Sequence, residues 1–192
     1  MEIKQGKTFY KPTGGAFIGT IIDVVDMPNV TKVYKGVSKT VNQVRVLWVI
    51  AQMNGAPYLD PEGQPFTVTG FYNATQTDNS NLTKMLTQVL NATPPLLSSS
   101  EQLAQLLLNR SNSLFLTQNP NPAKPGDYFV NVAGISPLPA GVIPPQAPAG
   151  FVRFKDKPKT QAGPQGQPVQ TYAQPPASVN LNSPAQNNPQ AF

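Results

Sequence analysis

Few side chains in this sequence could carry out chemistry. It has no cysteine and no histidine. That removes thiol nucleophiles, disulfides, zinc sites built on Cys or His, and imidazole general bases. Nine carboxylates remain, and only Asp23-Val-Val-Asp26 and Asp60-Pro-Glu62 bring two close together in the chain. The first pair falls at a strand end, where a bend could gather both groups. The second falls in a turn. As Mg²⁺ ligands both pairs are short of partners, so solvated loop carboxylates are the expected reading. No phosphate-cradling glycine loop and no nucleophile elbow occurs. The expectation is a protein that is not an enzyme and uses no metal or cofactor.

The remaining reactive material is cations interspersed with aromatic rings. An unpaired nucleic-acid strand is held by cations that track its phosphates and by ring faces on which its bases stack. Lys32, Tyr34, Lys35 and Lys39 fall within one short stretch, and Arg45 follows them. Phe71 alternates with Thr67 and Thr69, and Lys84 lies in the segment beyond. Phe9, Tyr10 and Lys11 form a second cluster. A net charge of +5 over 192 residues permits a polyanionic partner without demanding one.

The elements that must position these residues follow from periodicity. Ala16 to Val25 alternates as a strand, with Ala16, Ile18, Thr20, Ile22 and Val24 on one face and Phe17, Gly19, Ile21, Asp23 and Val25 on the other. Val30 to Thr40 reads as a long loop. Val41 to Met53 is a second strand, with Val44, Val46, Trp48 and Ile50 opposite Arg45, Leu47 and Val49; this face favours the core for Trp48, with a stacking platform as the alternative. Asn54-Gly55 and Pro61-Glu62-Gly63 are turn chemistry. Phe66 to Ala74 is the third strand, with Phe66, Val68, Gly70 and Tyr72 facing the core and the threonines facing water or a ligand. Phe71, on the threonine face, is either covered by a helix or open to a ligand.

Ser80 or Asn79 can cap a helix whose Leu82, Met85, Leu86, Val89 and Leu90 make a buried stripe. Ser98-Ser-Ser-Glu101 reads as a capping box for a second short helix to about Leu108, with Leu103, Leu106 and Leu107 inward. Ser113 to Gln118 is the fourth strand, with either Leu114 and Leu116 inward or Phe115 inward. Pro125-Gly126 suits a type II turn, and Tyr128 to Ile135 is the fifth strand. The order β-β-β-α-β-β is that of a mainly β, five-stranded OB-like barrel with a helix between strands 3 and 4. Barrels of this kind bind single strands through the loop between strands 1 and 2 and the face of strands 2 and 3. The candidate cations and rings fall there.

The composition changes after Ser136. Residues 1–138 read as the OB-fold single-strand-binding domain and 139–192 as a Pro-rich disordered tail that carries a basic, aromatic patch, Phe151-Val-Arg-Phe-Lys-Asp-Lys-Pro-Lys159. From Thr160 the tail is Pro, Gln, Asn, Ala and Ser with one Tyr172 and no charge, and the expectation is disorder, with Phe192 as an anchor for a partner. Met1 to Lys7 has no apolar core of a secretory signal. The longest apolar run, Val44 to Met53, contains Arg45 and is too short to cross a bilayer. A cytoplasmic protein is expected.

The chain resembles phage-type single-stranded-DNA-binding proteins with an OB fold. The likeness covers about Gly15 to Leu138. It rests on Gly19-Thr-Ile-Ile-Asp-Val-Val-Asp26, the strand around Trp48, Glu62-Gly-Gln-Pro-Phe66, Ser80-Asn-Leu-Thr-Lys-Met-Leu86, Tyr128-Phe-Val-Asn-Val132 and Ile135-Ser-Pro-Leu-Pro139. It implies single-stranded DNA as the partner, a role in phage replication or recombination, and residence in the host cytoplasm. Two departures stand out. Thr83 occupies a position where the family often has Arg, and the tail ends in Phe192 without the acidic residues that recruit replication or recombination proteins. The sequence leaves a homo-oligomer open. It also supports a second reading, a structural or adaptor protein such as a virion component that docks a partner through its Pro-rich tail.

Overall fold

The structure is a computed structural model that describes residues 10–34 and 36–157. The expectations for Phe9, Lys35, the tail beyond Lys157 and terminal Phe192 lie outside the described residues.

Five antiparallel strands and two short helices follow the expected order. The strands are β1 (Gly15–Tyr34), β2 (Val37–Gln52), β3 (Thr67–Asn73), β4 (Ser111–Pro120) and β5 (Tyr128–Pro137), with α1 (Asn81–Leu90) and α2 (Ser100–Leu107) between β3 and β4. They form one sheet in the order β3-β2-β1-β4-β5. The expected closed barrel is not formed: β3 and β5 approach each other as the two edges of the sheet without pairing. A cleft of about 250 Å³ lies between them.

The core face is the one that alternation predicts on β2 and β3. Val44, Val46, Trp48, Ile50 and Val68 are buried against Leu82, Met85, Leu86 and Val89 of α1 and Leu103, Ala104 and Leu107 of α2. Leu114 and Leu116 complete this core, which settles β4: Phe115 points outward. Trp48 is wholly buried. Its ring lies over two glycines. A Cβ on Gly19 would sit 2.9 Å from Leu114 Cγ and 3.2 Å from Trp48 Cδ1, and one on Gly70 would sit 3.0 Å from Trp48 Cζ3. Gly19→Ala is therefore expected to cost about 1–3 kcal/mol by overpacking, read as a lower urea midpoint with an unchanged slope.

Both helix starts use serine. Ser80 Oγ accepts the Thr83 N–H at 3.1 Å. The second cap is shifted by one residue from the expected box. Ser99 Oγ, not Ser98, accepts from the Gln102 N–H. Gln102, not Glu101, reaches back, and its Oε1 accepts the Ser98 N–H at 2.9 Å. Glutamine and glutamate serve equally as the returning acceptor, so three serines in a row leave the register to tertiary packing. Asn112, buried on β4, donates to the Val89 carbonyl and ties α1 to the sheet.

Three departures concern strand geometry. The stretch from Val30 to Thr40 is not a loop. It extends the β1–β2 pairing, with Val30 opposite Val41, Lys32 opposite Lys39 and Tyr34 opposite Val37. Gly36, at φ 79°, supplies the left-handed conformation that a two-residue connection needs. A register shift at Pro28-Asn29, with Asn29 at φ 56° and its N–H bonded to Asn42 Oδ1, separates this arm from the body of the sheet. A second shift, at Ile22, moves Asp23 off the core face: Ile21 pairs with Trp48 while Asp23 pairs with Leu47. The expected grouping of Asp23 with Phe17, Gly19 and Ile21 is thus broken, and Val24 takes the core position.

The turns behave as their residues predict. The Asp127 N–H bonds the Lys124 carbonyl with Gly126 at φ 83°, which fits a type II turn. Asp60 Oδ1 accepts the Glu62 and Gln64 N–H groups, so this carboxylate shapes its own turn.

The packed chain continues past Leu138. Pro145 and Gln146 line a small cavity with Val49 and Ala51 on the outer face of β2, and a single 3₁₀ turn, Phe154–Asp156, contacts β1. Within residues 139–157 the expected disordered tail is instead chain laid on the sheet. Among the described residues no helix is long and apolar enough to cross a membrane.

Candidate nucleic-acid interface

Strand alternation places Thr67, Thr69 and Phe71 on the outer face of β3, and antiparallel pairing sets Arg45 of β2 beside Phe71. Val25 of β1 lies on the far side of Arg45. Phe71 is 37% exposed, so no helix covers it; both helices bury their apolar stripes on the opposite face. Arg45 is half-buried. Its guanidinium stands 5.3 Å from the ring centroid of Phe154, a cation–π distance.

The cleft between the sheet edges brings the two sequence clusters together. Thr67, Thr69 and Phe71 form one wall, Tyr128, Phe129 and Val130 the other, and Tyr10, Lys11 and Pro12 lie across it. Tyr10 is exposed. The cleft is thus a concave site in which rings from three separate parts of the chain converge, the geometry that stacking needs.

Lys11 is less a free cation than a strut. Its Nζ lies 2.6 Å from Asp127 Oδ1 and donates to the Tyr128 carbonyl at 2.6 Å, and it sits 5.5 Å above the Tyr128 ring. The Lys11 ammonium, with the Tyr128 N–H, holds the Asp127 carboxyl down to about 2. A depressed carboxyl pKa stabilises the folded state above the unfolded value near 4, and that contribution is lost as pH falls through the folded value. The contact between Lys11 and Asp127 is therefore expected to weaken between about pH 4 and pH 2. Protection of the Tyr128 amide from hydrogen exchange, taken relative to the intrinsic rate at each pH, should fall over that window, and Asp127→Asn should abolish this pH dependence.

The arm supplies two more of the candidate cations. Lys32 and Lys39 are directly opposite each other across the hairpin. Lys32 Nζ donates to Asn73 Oδ1 at 3.3 Å, which brings the arm to the end of β3, and burial pushes its pKa down. Lys39 is exposed. The backbone of Tyr34 ends β1; Lys35 beyond it lies outside the described residues. Lys84 is exposed on α1, away from that helix's buried stripe, whereas Arg45 and Phe71 pair on the sheet. The site therefore joins Phe71, Arg45, Lys32 and Tyr10, with Lys84 apart.

The carboxylates also differ from expectation. Asp23 is not a solvated loop residue; it is 2% exposed on the outer face of β1. Its Oδ2 accepts the Phe154 N–H at 2.9 Å, and its Oδ1 is 3.7 Å from Arg153 Nε. Asp26 is exposed on the same strand. Among the described residues no three acidic groups cluster to hold a metal ion. The sequence assigned neither Phe154, which lies by Arg45, nor Asp23, which accepts its N–H, to this face. The patch from Phe151 to Lys159 carried the only signal, its mixture of rings and cations.

Comparison of the chain with protein-family models gives no match, and comparison with curated proteins gives none either.

Proposed function

We propose that the protein binds single-stranded DNA with little sequence preference, through an OB-like barrel left open along one seam. It acts by holding the strand rather than by catalysis, and its place is in phage replication or recombination. The sheet order β3-β2-β1-β4-β5 supports the fold reading, because it is the order of an OB barrel opened between strands 3 and 5. The observation that carries the function is the juxtaposition of Phe71 and Arg45 on the outer face of β3 and β2, beside a cleft that also holds Tyr10. A base stacks on an exposed ring while its phosphate meets the neighbouring cation. The hairpin arm with Lys32 and Lys39 lies at the edge of the same face.

The test is a titration of fluorescently labelled oligo-dT at two salt concentrations, with a duplex of equal length beside it. Salt-sensitive binding that favours the single strand supports the reading, and equal affinity for both forms overturns it. Because Trp48 is fully buried, its emission should change little on binding, so the signal must come from the oligonucleotide. Replacing Lys39 by alanine should lower affinity and shrink the slope of log K against log salt by about 0.7, the share of one phosphate contact on a single strand. An unchanged slope would remove Lys39 from the site. Absence of DNA affinity together with recovery of the protein in purified particles would favour the virion or adaptor role.

A further inference from the structure

Asp23 raises a question that the fold alone does not answer. A carboxylate inside a sheet is costly unless charge and hydrogen bonds surround it. Its described partners, the Phe154 N–H and Arg153, come from one distant segment, residues 151–157. The shift at Ile22 turns Asp23 onto the outer face, where that segment can reach it. The same contact lays the Phe154 ring against Arg45, next to Phe71.

We infer that residues 151–157 are a built-in part of the nucleic-acid site: Phe154 is a further base-stacking platform, and Asp23 is the residue that positions it. The inference rests on the reading of the site given above. A segment lying on a binding face could instead occlude it, and two observations favour the platform. Phe154 is 54% exposed, so one side of its ring meets the guanidinium while another stays open; an occluding plug would bury its ring. The segment also carries Arg153, Lys155 and Lys157 against the one carboxylate of Asp156. A stand-in for DNA would carry negative charge, whereas this segment attracts phosphate. Arg45, between Phe71 and Phe154, then serves both rings, and the platform runs from β3 across β2 toward β1.

The experiment compares the full chain with Phe154→Ala, Phe154→Trp and Asp23→Asn, using labelled oligo-dT. Phe154→Ala should weaken binding about fivefold or more while leaving the salt slope unchanged. Phe154→Trp should bind like the parent, and its new exposed indole should be quenched on adding unlabelled oligo-dT, a change the buried Trp48 would not give. Asp23→Asn should weaken binding and speed tryptic cleavage after Arg153. Phe154 is exposed, so Phe154→Ala should remain folded and keeps the test decisive even if Asp23→Asn does not fold. If Phe154→Ala binds as the parent does, or more tightly, or if the introduced indole is not quenched, the inference is overturned. Tighter binding would mark an occluding segment. A parent that fails to bind oligo-dT would bring down the functional reading itself, and this inference with it.

Discussion

Phe71→Ala is expected to weaken oligo-dT binding about 5- to 150-fold, because one stacked base is worth about 1–3 kcal/mol. The salt dependence should stay as in the parent, since no phosphate contact is lost. This contrast with Lys39→Ala separates stacking from charge within one interface. The choice of residue follows from position. Phe71 lies where the outer face of β3 meets the cleft, with Arg45 on one side and Tyr10 across the gap. Urea unfolding provides the control, since a ring already more than a third exposed contributes little to the core. Parent-like affinity in Phe71→Ala would show that the cleft is not where bases stack.

Trp48→Ala should have the largest effect on stability, about 3–5 kcal/mol, against a typical total of about 5–15 kcal/mol for a whole domain. The ring is fully buried and packed over Gly19 and Gly70, so its removal leaves a hole lined by rigid backbone that cannot collapse into it. Trp48→Phe should cost much less. It keeps most of the apolar volume, and it deletes an indole N–H that is buried without a hydrogen-bond partner among the described residues. Urea denaturation followed by far-ultraviolet circular dichroism measures both. Similar losses for the two variants would mean that the indole nitrogen has an unrecognised role.

Much of this architecture was legible in the residues. Alternation on β2 and β3 assigned the faces of Val44, Val46, Trp48, Thr67, Thr69 and Phe71 correctly, because neither strand is broken by a bulge within its pairing with the other. The α1 stripe and its Ser80 cap were equally clear, since helix periodicity and capping are local. The β1–β2 arm reads as a loop from its residues, although Val30, Thr31, Val33, Tyr34, Val37 and Thr40 are strand-forming types. Its lysines and Pro28 masked that signal, and a hairpin closed at Gly36 lacks the stronger Asn-Gly mark.

The order of the elements, the core residues of β2, β3 and α1, and the want of Cys or His chemistry all follow from the residues alone. Each of these depends on side-chain type and on spacing along a few neighbouring residues. Long-range packing sets the rest: Asp23 turns outward, residues 151–157 return to meet it, and Tyr10 lies across the cleft from Phe71. The reason is physical. One extra residue at Ile22 reverses the side chains from Asp23 to the next shift at Pro28-Asn29, and whether the strand takes that bulge depends on partners for the Asp23 carboxylate that lie more than a hundred residues away.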